Sequence, residues 1–454
     1  MERKFTKYLK EWRNHVNRKP LMVRGARQVG KTYIIREFGE TYFENIVVVN
    51  FDKTPQIKQA FEGNNDVDVI IKELESFYEL EIKCGETLLF FDEIQSCPKA
   101  IVSLRYFYEK KPDLHVITAG SLLDHTLNEF PYSMPVGRVE FAYMHPMSFS
   151  EFLLAMGQKK SYELISSYEL DEKISLLIHD KLMDLLRLYV VVGGMPEAVD
   201  VYQKTGSLLE VAKVQESIVK SLEYDFAKYG SSAQQRIMGK LLRYVPKTIG
   251  QKFKYVNFDQ QLRSHQIKNA LELLNLSRIL HIVYTTNSVS IPLKTGVNEK
   301  TFKTVFLDIG LVSHILNLNV LDLKEMVLNN EGNIAEQIVA QEIIASQLPY
   351  TDREIYYWVR EKQNASSEID YLITAGNKVM PVEVKAGKTG SLKSLNVFMA
   401  EKKMNMAFRF NADLPSVAMS EMNIVLKDKS VKTKFKLISL PLYLSGEIDR
   451  IISS

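Results

Sequence analysis
The sequence predicts an α/β fold: a parallel β-sheet with a phosphate-binding loop at the C-terminal edge of its strands, then a helical middle and a second α/β domain. Three observations predict it. Gly25-Ala26-Arg27-Gln28-Val29-Gly30-Lys31-Thr32 has the spacing G-x-x-x-x-G-K-[ST] without departure. The apolar run Leu21-Met22-Val23 precedes it and an amphipathic stretch, residues 33–38, follows, so the octet joins a strand to a helix. A second buried-strand pattern, Thr87-Leu88-Leu89-Phe90-Phe91, ends in Asp92-Glu93, which places two carboxylates where ligands bind in open α/β sheets.

Within the octet each residue type has a physical reason. Gly25 and Gly30 let the backbone turn tightly and approach a phosphate closely. The loop N–H groups, from Gly25 through Ala26, Arg27, Gln28 and Val29, and the helix N-terminus present partial positive charge to a polyphosphate. Lys31 is placed to reach the β- and γ-phosphates and Thr32 to hold Mg²⁺, so ATP and Mg²⁺ are the expected ligands.

Further along, residues 45–52 are short and β-branched, the pattern of a central parallel strand. Residues 56–80 are helical by period. Asp92 is placed to hold Mg²⁺, directly or through water, and Glu93 to polarise the attacking water. After a helix at 99–110, residues 114–121 form another buried strand that ends in small polar residues. Thr118 or Ser121 then senses the γ-phosphate or positions water, with a helix cap as the alternative for Ser121. Residues 135–141 lead into a fifth strand. Arg138, just before it, is a candidate for stabilising charge on the transferred phosphoryl group, or else a surface arginine.

A chain of 454 residues exceeds one ordinary domain, so two to four are expected. Hydrophobic content of 46% and charged content of 25% are those of a soluble globular protein. A net charge of +3 is too mild to force a partner. Cys84 and Cys97 exclude a disulfide framework, are not spaced with histidines as a zinc site, and fit a reducing cytoplasm. No apolar run approaches the length of a membrane span, so no membrane partner is expected. The basic N-terminus (Arg3, Lys4, Lys7, Lys10, Arg13) lacks an apolar signal core and reads as a helix packed on the first domain.

Together, RGARQVGKT, LLFFDEIQ, ITAGS and GRVEFAYMHPMSFSEF resemble a family of bacterial and archaeal AAA-type ATPases whose P-loop domain is followed by a DUF4143-type C-terminal region. The resemblance covers about residues 1–150. It implies a sheet ordered 5-1-4-3-2, Glu93 as the hydrolytic base and Arg138 as the family's arginine. Whether that arginine serves its own subunit or a neighbour in a homo-oligomer is left open.

Residues 148–229 are helical by period, interrupted at Gly193-Gly194-Met195-Pro196. In the family such a segment ends the ATPase lid, and packing and lid are the roles expected of it here. Residues 236–308 suggest three helices and a β-ribbon, an order resembling a winged helix. Arg263, His265, Gln266, Lys268 and Asn269 would line its exposed face and could touch DNA, with a purely structural role as the alternative.

The C-terminal stretch carries a second site pattern. A helix at 334–348 bears Glu336, a strand covers 354–358, and residues 368–385 read as a hairpin about Gly376. Asp370 lies on its first strand. Glu383 and Lys385, two apart on the second, share a face. Two carboxylates and an ammonium converging across a hairpin suit a divalent ion and water activation, and Glu336 can add a third carboxylate. Lys385 would orient the water or neutralise developing phosphate charge. The set Glu336, Asp370, Glu383, Lys385 resembles the core of the restriction-endonuclease-like superfamily, which implies metal held by Glu336, Asp370 and Glu383. A solvated, salt-bridged hairpin is the alternative. Residues 376–440 hold twelve Lys or Arg against five Asp or Glu, which suits either a track for a phosphate backbone or a solvated face.

The expected organisation is therefore an ATPase domain at 1–147, lid and linker helices at 148–230, a winged-helix-like module at 231–325 and a nuclease-like domain at 326–454. The expected function is ATP binding and hydrolysis whose nucleotide state controls DNA binding or metal-dependent cleavage. The alternative is a regulatory switch whose nuclease-like domain binds without cutting.

Overall fold
The computed structural model describes residues 3–62, 66–120, 135, 137–228, 231–318, 332–352, 354–362, 365–387, 392–426 and 429–453. Two compact units emerge. The first is Met1–His145 with Leu276–Ile279 and Leu348–Asp352; the second is Pro146–Asn275, Leu280–Gln347 and Arg353–Ser454.

The first unit is built on five parallel strands: β1 (Leu21–Arg24), β2 (Asn45–Asn50), β3 (Thr87–Asp92), β4 (His115–Ala119) and β5 (Glu140–Tyr143). Their order is β2-β3-β4-β1-β5, the 5-1-4-3-2 arrangement read from the other edge. All six residues of β3 are buried, as a central parallel strand covered on both faces requires. Ile70 and Leu74 of the helix Val67–Tyr78 and Ile101 and Leu104 of the helix Pro98–Lys110 pack in one core with Val47, Val49, Leu89 and Phe91. The Asp66 side chain caps the first of these helices by accepting from the Asp68 N–H, and Pro98 opens the second, where its missing N–H costs nothing. The N-terminal helix, Lys4–Asn14, buries Phe5, Leu9 and Trp12, spaced for one face; Trp12 meets the His115 ring edge-on at 5.8 Å.

Two later segments complete this unit, so it is not one contiguous stretch. The Tyr143 N–H donates to the Pro349 carbonyl at 2.7 Å. Arg278 donates to both oxygens of Asp352 (2.9 and 2.8 Å) while its guanidinium lies 4.6 Å from the Tyr143 ring centroid.

The second unit begins with helices at Phe149–Ala155, Lys159–Ser167, Leu176–Val192, Pro196–Thr205 and Leu208–Asp225, followed by Ser232–Tyr244 and Ser264–Leu276. Serines 148, 175, 207 and 231 cap four of them with their side chains. An eight-stranded sheet follows, ordered β12-β13-β11-β10-β9-β8-β6-β7. Its strands are β6 (Leu280–Thr286), β7 (Val297–Phe306), β8 (Tyr356–Lys362), β9 (Ala365–Ala375), β10 (Lys378–Val384), β11 (Met406–Asn411), β12 (Ser416–Leu426) and β13 (Lys429–Pro441).

The ribbon expected of a winged helix is the pair β6–β7, and it does not stand alone. β6 runs parallel to β8, with Tyr284 opposite Tyr356, so the ribbon is the edge of the C-terminal sheet. The buried helix Gly332–Ala345 closes the end of that edge: the Gln337 amide accepts from the Phe306 N–H (2.9 Å) and donates to the Phe306 carbonyl (2.8 Å). The expected hairpin about Gly376 is present as β9–β10, with Lys378 opposite Ala375 and Val382 opposite Tyr371.

Candidate nucleotide site and a buried carboxylate cluster
The loop expected to bind phosphate leaves β1 at Gly25 and enters the helix Lys31–Tyr42 through Gly30. Its backbone needs the left-handed region at Gln28 (φ 63°) and Gly30 (φ 94°). Gly25 is required for space as well: a Cβ there would lie 2.2 Å from the Met144 carbonyl oxygen. Lys31 is buried and its ammonium donates to the carbonyls of Gly25 (2.8 Å) and Ala26 (2.7 Å), so it is folded over the loop it belongs to.

Asp92 ends β3 opposite that helix. Its Oδ1 accepts from the Thr32 hydroxyl (3.1 Å) and its Oδ2 from the Asn50 amide (2.9 Å). Burial, and then the neighbouring Glu93, push the Asp92 carboxyl above its usual range, against the two hydrogen bonds that favour its charge. Glu93 itself takes a left-handed backbone (φ 52°) at the exit of the strand, and its carboxylate accepts from the Gln95 amide. The fit to Mg²⁺-nucleotide rests on these features: a glycine cradle that a Cβ would fill, a buried lysine at its lip, and a hydroxyl–carboxylate pair beneath.

Of the other expected residues, Thr118 is fully buried on β4, and no hydrogen-bond partner is found for its hydroxyl among the described residues. Ser121 lies outside the described residues. Arg138 stands at the wrong edge for a role on its own chain's nucleotide. β5 begins opposite Leu21, the first residue of β1, whereas the loop follows Arg24, the last. The length of β1, about 13 Å at ~3.3 Å per residue, separates them. There Arg138 is half-exposed and bonds Glu109 at 3.0 Å. In the sequence Arg3 is only one of a basic N-terminal group and Asn50 only the end of a strand. Arg3 is buried, and its guanidinium donates to the Val29 carbonyl (3.2 Å) in the loop and to the His145 carbonyl (2.8 Å).

In the second unit the residues expected of a nuclease-like site converge, with two additions. β9 presents Glu368 and Asp370 on one face by its period of two. β10 brings Glu383, with Lys385 just beyond it; the Lys385 ammonium lies 2.6 Å from Glu383 Oε1. The Asp370 Oδ2 accepts from the Val384 N–H at 2.7 Å. Glu336 comes from the buried helix, but it is held by Lys303 of β7, 3.1 Å away. Lys303 also contacts Glu368 and lies 5.2 Å from the Tyr357 ring centroid. Glu336 is thus engaged by an ammonium through its Oε2. Among the described residues no three or more His, Cys, Asp or Glu side chains are grouped to hold a metal.

Burial sets the charge states here. It raises Asp370, carries Glu383 up to about 7 and carries Glu336 up to about 8, with repulsion from Asp370 adding to the latter two. Burial opposes the charge on Lys303, but Glu336, Asp370 and Glu368 outweigh it and hold the ammonium protonated. Glu336 stays raised despite that neighbour because one cation does not offset both its burial and Asp370. Glu383 Oε2 has no hydrogen-bond partner among the described residues, in a residue only 3% exposed. Such an acceptor is costly unless something binds it. With Asp370 alongside, it fits a divalent ion that keeps part of its water.

Neither Lys303 nor Glu368 was singled out in the sequence. Glu368 has a local signal, its alternation with Asp370. Lys303 has only a weak one, a lysine in an otherwise buried strand end. The face expected of a winged helix shows no comparable convergence among the described residues: Arg263, His265, Lys268 and Asn269 are exposed, Lys268 pairs with Glu272 (3.5 Å), and Gln266 accepts from the Arg263 N–H (3.2 Å). No helix among the described residues is long and apolar enough to cross a membrane.

Comparison with known proteins divides the chain in three. Residues 17–153 match the family model described as an AAA domain. Residues 183–322 match a domain of unknown function, DUF8612, and residues 331–443 another, DUF4143. No curated protein matches. Similar solved structures include the Walker-type ATPase PABY2304 of Pyrococcus abyssi, 14% identical over 69% of this chain and 95% of that one, with a TM-score of 0.44. The Aeropyrum pernix ORC2 protein in its ADPNP-ADP complexes is 13% identical over 71% of this chain and 94% of that one (TM-score 0.36). The Thermotoga maritima RuvB Holliday junction branch migration motor is 16% identical over 66% of this chain and 93% of that one (TM-score 0.27).

Proposed function
We propose that the chain binds Mg²⁺-ATP at residues 25–32 and hydrolyses it. The reading is carried by one arrangement: the Thr32 hydroxyl on Asp92, with Lys31 in the same helical turn. Gly25 to Gly30 would cradle the phosphates with backbone N–H groups. Lys31 would leave its loop carbonyls for the phosphate oxygens, and Thr32 and Asp92 would hold Mg²⁺, which neutralises phosphate charge. Glu93 would orient the attacking water and accept its proton as the bond to the γ-phosphoryl group breaks. Phosphate release by wild type, Lys31→Ala and Glu93→Gln tests this. The expected result is loss of nucleotide binding in the first variant, and binding without turnover in the second. Wild-type turnover in both variants would sink the proposal. A role for Arg138 on the phosphoryl group requires a second copy of the chain, and sedimentation with and without ATP tests for it.

The nucleotide state, on this proposal, governs engagement or metal-dependent cleavage of DNA by the C-terminal cluster. Asp370 and Glu383 would hold the divalent ion, and Lys385 would neutralise charge at the phosphate. Support comes from two chemically equipped sites on one chain. Single- and double-stranded DNA with Mg²⁺ or Mn²⁺, with and without ATP, should be cut by wild type and not by Asp370→Ala, and the Lys31→Ala variant should lose any ATP dependence. A second reading, DNA binding without cutting, is favoured by the tie between Lys303 and Glu336, which removes one carboxylate from the set. Cellular function that survives Glu383→Gln with Lys385→Ala would select it.

A further inference from the structure
We infer that Lys303 is a built-in cation of the carboxylate cluster, occupying its Glu336–Glu368 side, so that the cluster takes one divalent ion, held by Asp370 and Glu383 and not by Glu336. The inference rests on the metal-dependent reading above and deepens it.

Lys303 has nowhere else to put its charge. It is 1% exposed, its ammonium is 3.1 Å from Glu336 and in contact with Glu368, and the Tyr357 ring lies 5.2 Å away. A buried ammonium enclosed by two carboxylates and a π face is satisfied where it stands, and leaving would strand all of them. The other side of the cluster is differently equipped. Asp370 accepts one backbone N–H through Oδ2, Glu383 meets Lys385 through Oε1, and Glu383 Oε2 has no hydrogen-bond partner among the described residues. That is the place for an ion.

The ion pairs agree with this division. Lys303 sits on Glu336 and Glu368 and Lys385 on Glu383 Oε1, which leaves Asp370 and Glu383 Oε2 for a cation from solvent. A second divalent ion on the Glu336–Glu368 side would be set against the Lys303 ammonium, at a Coulomb cost. Mg²⁺ and Mn²⁺ suit a two-carboxylate site because the remaining positions can stay water.

The test counts bound Mn²⁺ by electron paramagnetic resonance on the full chain, nucleotide-free, in an Asp92→Ala background that silences the phosphate loop. The expected count is one ion per chain, abolished by Glu383→Gln. Glu336→Gln should leave the affinity within about threefold, where loss of a genuine ligand costs more than about tenfold. Lys303→Met, similar in length but uncharged, should admit a second ion, and Lys303→Arg should not. Two ions in the Asp92→Ala background with Lys303 intact, or a loss of more than tenfold in Glu336→Gln, would overturn the role of Lys303 while leaving the metal-dependent reading intact. No ion at all would overturn that reading and the inference together. If Lys303→Met does not fold, the count in the Asp92→Ala background with Lys303 intact and the Glu336→Gln affinity still decide.

Discussion

Arg3 donates from Nη1 to the Val29 carbonyl at 3.2 Å, which ties the residue ahead of the N-terminal helix to the middle of the phosphate loop. The second amino group holds the His145 carbonyl, so one buried guanidinium braces the loop against the segment after β5. Removing it as Arg3→Ala should loosen the loop without touching a phosphate ligand. A charge-assisted hydrogen bond contributes about 1.5–3 kcal/mol, and part of that should appear as weaker nucleotide binding, by roughly tenfold. Titration with a fluorescent ATP analogue measures it; unchanged affinity would show that the loop keeps its shape unaided.

Gly25→Ala should be more severe than its size suggests. The added methyl would lie 2.2 Å from the Met144 carbonyl oxygen, and the φ of +151° strains any side chain. The backbone must move where it is to meet phosphate. Nucleotide binding should be lost while the protein still folds, as followed by circular dichroism and equilibrium dialysis. A variant that binds ATP normally would show that the loop relaxes at little cost.

Asp308 should prove a structural keystone of the second unit. It is fully buried; its Oδ2 accepts from the Gly194 N–H at 2.6 Å and its Oδ1 from the Leu311 N–H at 3.1 Å. Asp308→Ala leaves both donors buried and unmet, a loss of about 3 kcal/mol or more. Asp308→Asn, which keeps one acceptor, should lose less. Thermal unfolding orders the three proteins, and an alanine variant as stable as wild type would refute the assignment.

His115 gives the first unit a pH signature. Burial, and then the Arg18 charge, lower its imidazole to about 4, while its ring donates to the Arg13 carbonyl at 3.3 Å. Unfolded, it takes up a proton near pH 6.5. Below that pH the unfolded chain gains a proton the folded chain refuses, so this contribution to stability is complete above 6.5 and falls as pH drops toward 4. The loss reaches about 3 kcal/mol. His115→Phe, between Trp12 and Phe43, should flatten that part of the stability–pH curve relative to wild type. Parallel curves from urea unfolding at pH 4 to 7 would contradict the buried neutral imidazole.

The sequence by itself determined what is local in the chain. The Gly25–Thr32 octet, the strand ending in Asp92-Glu93 and the β9–β10 hairpin each carry their signal within a few residues, because backbone conformation and side-chain period are local properties. The strand alternation likewise placed Asp370 and Glu383 in reach of each other. Only the tertiary structure decided which edge of the sheet each residue occupies and which distant side chain balances a buried charge. Arg138 and the loop lie close to the same two strands but at opposite ends, since parallel strands put all their starts on one edge. Lys303 meets Glu336 and Glu368 because β7 joins the same sheet as β9 and a helix closes over it, a pairing set by sheet order across the chain. A buried ammonium must find carboxylates, but which ones is a question of packing, and packing is written in contacts far apart in sequence.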